Sequence, residues 1–169
     1  REIMAKFLTL NTHSWMEEEQ ESKLNQLAER ILQEKYDVIC LQEVNQLVES
    51  EQVVQAPFYY AVDGAIPIHQ DHYALCLVEK LAEAGLDYYW SWAYNHIGFD
   101  IYNEGVAILS RKPLKARELL VSDVNDPSDY HTRKVLLAET ELDGQLITVA
   151  SCHLSWWDKG FQGEWAKFE

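Results

Sequence analysis

Asp37-Val38-Ile39-Cys40-Leu41-Gln42-Glu43 is the stretch that decides the fold. An apolar run of this length, directly behind a helical segment, reads as a strand buried on both faces. Glu43 then emerges at the strand's C-terminal end, the edge where open α/β sheets place their ligands. A carboxylate there is a candidate metal ligand; the plainer alternative is a solvated loop residue.

Upstream, Leu24, Leu27, Ala28, Ile31 and Leu32 recur at helical spacing and predict an amphipathic helix over about 19–35, with an acidic first turn that suits the helix dipole. Ala5 to Leu10 is a short apolar strand ending at Asn11-Thr12-His13-Ser14. The order strand, crossover helix, strand implies a parallel pair joined by a right-handed crossover. Asn11 and Glu43 then end strands on one edge. Downstream, 44–68 reads as an irregular excursion with one short strand near Phe58 to Val62, and 69–84 as a helix closed by Gly85. Strands are expected at Tyr88 to Tyr94, Gly105 to Leu109 with Glu104 at its mouth, Leu114 to Val121, Lys134 to Leu142 and Leu146 to His153. The last two meet at Asp143-Gly144, a strong hairpin signal, so the second half is expected to be largely antiparallel.

The 169 residues, 47% of them hydrophobic, suit one compact domain, with no repeat or linker composition. A net charge of -14, from 28 acidic and 14 basic residues, argues against tight sequence-blind gripping of long nucleic acid. It leaves nuclease chemistry open, because bound divalent cations invert the local field. No apolar stretch is long enough to span a membrane. Cys40, Cys76 and Cys152 are odd in number and form no C-x-x-C, so they read as small buried hydrophobes in a reducing compartment, which points to the cytoplasm.

Asn11 after the first strand, Glu43 after the second, Glu104 opening "NEGVAILSR" and His153 closing "TVASCHL" together resemble the endonuclease/exonuclease/phosphatase superfamily, the deoxyribonuclease I-like phosphodiesterases. The resemblance covers nearly the whole chain and implies a four-layer α/β sandwich of two packed sheets. It implies that Glu43 of "CLQEV" is the principal Mg²⁺ (or Mn²⁺) ligand, magnesium commonly taking one or two protein carboxylates and leaving room for water and phosphate. Asn11 of "TLNTH" matches an asparagine that orients the metal site or the scissile phosphate; alone it would read as a strand-exit turn residue. His153 matches the catalytic histidine of the deoxyribonuclease I and sphingomyelinase-like branches, and Glu104 a carboxylate that hydrogen-bonds it and raises its pKa. Arg133 of "DYHTRKVLLAE" matches an often basic position near the substrate phosphates, against the alternative of a surface arginine. Trp156 and Trp157 follow His153 closely and could stack on a base or cover an apolar part of a substrate, or simply pack. His131 and His96 neighbour these motifs without an assigned role, and His13, His69 and His72 read as structural.

The same resemblance implies a later Asp-x-Asn and a final Asp-His pair, and neither occurs in the sixteen residues after His153. Phe161, Trp165 and Phe168 fall at i, i+4 and i+7 with no stop signal before Glu169, as in a chain cut inside a helix. The expectation is therefore the N-terminal part of one such domain over 1–169, reduced to its first sheet and flanking helices, inactive alone and prone to self-association through an uncovered apolar face. For the whole protein it is a divalent-metal-dependent phosphoric ester hydrolase acting on nucleic acid, a phospholipid head group or a small phosphorylated metabolite. The alternative is a non-catalytic binding module that keeps the fold. A carbohydrate hydrolase built on Glu43 and Glu104 would leave Asn11 and His153 unexplained.

Overall fold

The computed structural model describes residues 4–154. Strand β1 (Phe7–Asn11) leads through a single 3-10 turn, Ser14–Met16, into α1 (Gln20–Glu34), whose buried side Leu24, Ala28 and Ile31 matches the sequence periodicity. Lys35 ends the helix in the left-handed region, its N–H bonded to the Ile31 carbonyl at 2.7 Å. β2 (Val38–Leu47) then runs parallel to β1, pairing Phe7 with Val38 through Asn11 with Gln42. The crossover expected from the element order is thus present, and the shared edge for Asn11 and the Gln42-Glu43 pair follows from it.

α2 (Tyr73–Glu83) is shorter at its start than the sequence suggests, because His72 caps it: its Nδ1 accepts from the Ala74 N–H at 3.2 Å. At its other end Gly85, at φ +87°, lets its own N–H reach Ala82 O and the Leu86 N–H reach Leu81 O, both at 2.9 Å. That paired closure is the Schellman arrangement. The expected strand near 58–62 contracts to a single bridge between Tyr59 and Trp90.

β3 (Tyr89–Gly98), β4 (Tyr102–Ser110), β5 (Leu114–Leu120), β6 (Lys134–Leu142) and β7 (Gln145–Ser151) complete the described elements. The first sheet has the order β1-β2-β4-β3, antiparallel beyond the first pair; the second is the antiparallel β5-β6-β7. Asp143 and Gly144, at φ 51° and 77°, make the β6–β7 turn where Asp-Gly is expected. The strands expected over 114–153 form β5-β6-β7 and stack on the first sheet as a second one, in keeping with the two-sheet α/β sandwich.

The unbroken apolar run of β2 has its cause in these layers. Ile39 and Leu41 join the cluster under α1 and α2, with Trp90, Trp92 and Leu109. Val38 and Cys40 point to the other side, packing with Ala93, Val106 and Ile108 against Leu114, Leu136 and Ala138 of the second sheet. A strand covered on both faces has no position that favours a polar residue. Burial also pushes the Cys40 thiol up to about 11, so it behaves as a small apolar residue.

Candidate active site

Glu43 does not follow β2; it sits inside it, where the pairing with β4 shifts register between Leu41 and Val44. The expectation of a strand-end carboxylate is corrected to a bulge carboxylate, since the strand resumes and continues to Leu47. Glu43 takes φ 52°, a left-handed backbone that costs a non-glycine residue energy and recurs at functional sites. The loop after β1 holds it there. The Thr12 N–H and hydroxyl both reach the Gln42 carbonyl at 3.0 Å, and the Ser14 hydroxyl donates to the Glu43 carbonyl at 2.5 Å. His13 and Ser14 are themselves at φ 50° and 41°, so two further left-handed residues support the one that bears the carboxylate.

That carboxylate meets two imidazoles. His13 Nε2 lies 3.9 Å from Oε2, and His153 Nε2 lies 3.9 Å from Oε1. His13 read as structural in the sequence, and its only signal was its place directly after a strand that ends beside β2. Asn11 pairs with Gln42 across the sheet, and its Oδ1 accepts the His13 N–H at 3.1 Å.

Glu104 is likewise inside β4 rather than at its mouth, and its nearest imidazole is not the expected one. Oε2 lies 3.3 Å from Nε2 of His96, while His153 has turned to Glu43. Glu104 still acts on His153 electrostatically, yet the net shift on His153 is downward, not upward as expected. Burial of the ring is the main cause and the Arg133 charge adds to it, with Glu43 and Glu104 opposing. Arg133 is a buried residue: its Nη1 donates to the His153 carbonyl at 3.0 Å and its Nε to the Tyr130 carbonyl at 3.2 Å. It therefore fixes the backbone that carries His153, and the surface-arginine reading does not hold. His131 pairs with Asp129 at 2.6 Å. Trp156 lies outside the described residues.

His96, Glu104 and Arg133 line an open cleft of about 400 Å³, rimmed by Phe99, Asp100 and Tyr130. Beneath it Asn45 pairs across β2–β4 with Glu104; it is fully buried, and neither amide atom has a hydrogen-bond partner among the described residues. In the sequence Asn45 stands among polar Gln42, Glu43 and Gln46, so nothing there sets it apart.

Among the described residues no group of three or more His, Cys, Asp or Glu is placed to hold a metal ion. Glu43 and Asn11 instead offer a carboxylate and an amide oxygen, hard donors of the kind magnesium takes in small number. The Asn11 oxygen keeps a second lone pair after accepting from His13. The residues present thus fit a sparsely ligated Mg²⁺ or Mn²⁺ and would not suit a zinc-type cage.

Comparison with known proteins supplies the family. The model of the endonuclease/exonuclease/phosphatase family matches residues 17–167. A family protein of known structure from Leptotrichia buccalis C-1013-b is similar at 34% identity and TM-score 0.78, over 90% of this chain and 54% of its own. The chain thus spans about half the length of that relative. TDP2 from D. rerio, solved with a single-strand DNA product, shares the fold at 15% identity and TM-score 0.54, covering 94% of this chain and 49% of its own. A β-hairpin deletion mutant of Staphylococcus aureus beta toxin does so at 14% and 0.52, over 92% of this chain and 53% of its own. A search of curated proteins finds no match. With the matched span, the two stacked sheets and the 34% relative taken together, the chain belongs to the endonuclease/exonuclease/phosphatase family.

Proposed function

We propose that the intact protein is a divalent-metal-dependent phosphoric ester hydrolase of the phosphodiesterase or nuclease type. Family members are typically hydrolases of phosphoesters and generally use divalent metals. The observation that carries the reading to this chain is Glu43: a carboxylate fixed in a left-handed bulge by Thr12 and Ser14, with Asn11 paired across the sheet to the preceding Gln42, and His13 and His153 each 3.9 Å from one of its oxygens. A side chain that only filled a strand would need none of this support.

Glu43 and Asn11 would hold the Mg²⁺ or Mn²⁺, which when bound offsets negative charge on the phosphoryl and leaving oxygens. His153, held through its carbonyl by Arg133, presents an imidazole that protonates the leaving oxygen or stabilises charge on it. Arg133 places a guanidinium in the wall of the cleft lined by His96 and Glu104, where it would attract an anionic substrate. Glu104 contributes a negative charge that favours the cationic form of His153 and so offsets part of its burial.

Phosphoesters of single-stranded nucleic acid are one substrate arm, by likeness to the D. rerio TDP2 complex; phospholipid head groups and small phosphorylated metabolites are the others. Long duplexes are disfavoured by the net charge of -14. The test is hydrolysis by the intact protein of p-nitrophenyl phosphodiesters, plasmid DNA, single-stranded DNA, RNA and sphingomyelin, with Mg²⁺ or Mn²⁺ and with chelator. Loss of Glu43 in Glu43→Ala is expected to cost several kcal/mol of transition-state stabilisation, on the order of 10²- to 10³-fold in rate. Activity that survives either chelator or Glu43→Ala would end the metal assignment.

A further inference from the structure

Consecutive carbonyls of β2, from Leu41 to Val44, are each held by a side chain from another part of the chain. The Ser151 hydroxyl of β7 donates to Leu41 O at 3.3 Å. From the segment between β1 and α1, Thr12 donates to Gln42 O at 3.0 Å and Ser14 to Glu43 O at 2.5 Å. The last donor comes from the other flank of the strand: the Trp92 indole Nε1 of β3 reaches Val44 O at 3.1 Å. These bonds bracket the point where pairing with β4 slips, between Leu41 and Val44. A bulge disrupts the ladder locally, so its backbone must be fixed by donors from elsewhere.

To reach β2 from β3 the indole has to cross β4. It does so beside Gly105, which pairs with Val44 on one flank and Tyr94 on the other. A Cβ on Gly105 would lie 2.8 Å from Nε1, so the missing side chain opens the path. Trp92 is fully buried, edge-on to His72 at 4.5 Å and stacked on Tyr94 at 5.8 Å, and this packing fixes its rotamer. An indole N–H can only donate, so the bond to Val44 has one direction and no charge or tautomer to choose.

We infer that Trp92 is a positioning residue for Glu43: it holds the bulge from the β3 flank while Thr12 and Ser14 hold it from the β1 flank, so that the carboxylate keeps one orientation. This rests on the phosphoester-hydrolase reading of the same site. Trp92 belongs to the core layer under α1 and α2 and acts on the site through the Val44 backbone. Glu43 occupies a left-handed conformation that persists only while its surroundings impose it, and losing one flank lets the bulge relax. An ion with one or two protein ligands depends on each being in place.

The experiment uses the intact protein and a matched pair of variants, Trp92→Phe and Trp90→Phe. Trp90 is also fully buried, packs in the same cluster and donates to a carbonyl, Pro57 O at 3.0 Å, but that carbonyl belongs to the excursion after β2 and not to the bulge. Mn²⁺ affinity is measured by calorimetry, and kcat and KM on a p-nitrophenyl phosphodiester at saturating Mn²⁺. Trp92→Phe is expected to weaken Mn²⁺ binding and lower kcat by about 10-fold each, with KM changed little. Trp90→Phe should stay within about twofold of wild type in both, despite a similar loss of stability. A folded Trp92→Phe with wild-type affinity and kcat overturns the inference, as do equal losses in the two variants, which would mark a general effect of the core. Independently of any folding defect, the indole ¹H–¹⁵N signal of Trp92 in the wild type should shift on titration with Mg²⁺ while that of Trp90 stays put; an unmoved Trp92 signal at saturating Mg²⁺ overturns the coupling. A wild type that binds Mn²⁺ but cleaves no phosphoester overturns the hydrolase reading, and the paired affinities still decide the role of Trp92. A wild type that binds neither ion overturns both.

Discussion

His13, Ser14 and Glu43 are the residues on which local chemistry and backbone strain converge. Ser14 contributes a hydroxyl that satisfies the Glu43 carbonyl, so Ser14→Ala leaves a bulge carbonyl short of a donor. Its expected cost is about 1 kcal/mol in stability, read from urea midpoints, together with a lower kcat as Glu43 loosens. His72 shows the opposite use of an imidazole. It is fully buried, accepts from the Ala74 N–H, and lies edge-on to Trp92 at 4.5 Å. Burial pushes its pKa down to about 3. Since the unfolded chain takes up that proton near pH 6.5, stability is full above 6.5 and falls as pH drops toward 3, by about 1.4 kcal/mol per unit. Denaturant titrations at pH 7 and pH 4 should show wild type losing about 3 kcal/mol more than His72→Asn, which keeps a capping side chain without the titration. Neither role was legible in the sequence. A histidine's neighbours decide whether it caps, clamps or catalyses, and those neighbours come from other elements.

Elements were more legible, and their discrepancies have local causes. The period of α1, the parallel β1–β2 pair and the Asp143-Gly144 hairpin follow from short-range rules. Both site carboxylates, Glu43 and Glu104, lie inside their strands and not at the ends that the apolar runs suggest. β2 and β4 continue past the ends of their apolar runs, because polar Asn45, Gln46, Asn103 and Glu104 are paired and buried there. Gly105, beside Glu104, is part of the same device. A Cβ at that position would fall onto the Ala93 carbonyl oxygen and lie 2.8 Å from the Trp92 indole nitrogen. That indole donates to the Val44 carbonyl at 3.1 Å, next to the Glu43 bulge. Gly105→Ala is therefore expected to destabilise by ~2–3 kcal/mol, through overpacking between two central strands, as measured by thermal or urea unfolding. Asp143→Ala, at an exposed turn, should cost no more than ~1 kcal/mol.

At the scale of the molecule, net charge and exposed apolar surface make two predictions. A chain with 28 acidic and 14 basic residues repels polyanions at long range. For single-stranded DNA, raising salt from low to moderate ionic strength should lower KM, whereas an uncharged-tail phosphodiester should respond little; the opposite trend would mark a basic face that dominates encounter. Phe7 and Leu10 on β1, and Leu146 on β7, are exposed at 53%, 38% and 73% on the outer strands of the two sheets. Residues 1–169 expressed alone should therefore elute and scatter light above monomer mass, and charged substitutions at Phe7 and Leu146 should restore the monomer. By itself the sequence determined the periodic elements, their order and the set of polar residue types beside the strands, because spacing and turn chemistry act over a few residues. Only the tertiary structure decided the partners. It gave Glu43 a strained bulge between His13 and His153, and it gave Glu104 to His96, because a register shift and a buried row are set by strands far apart in the chain.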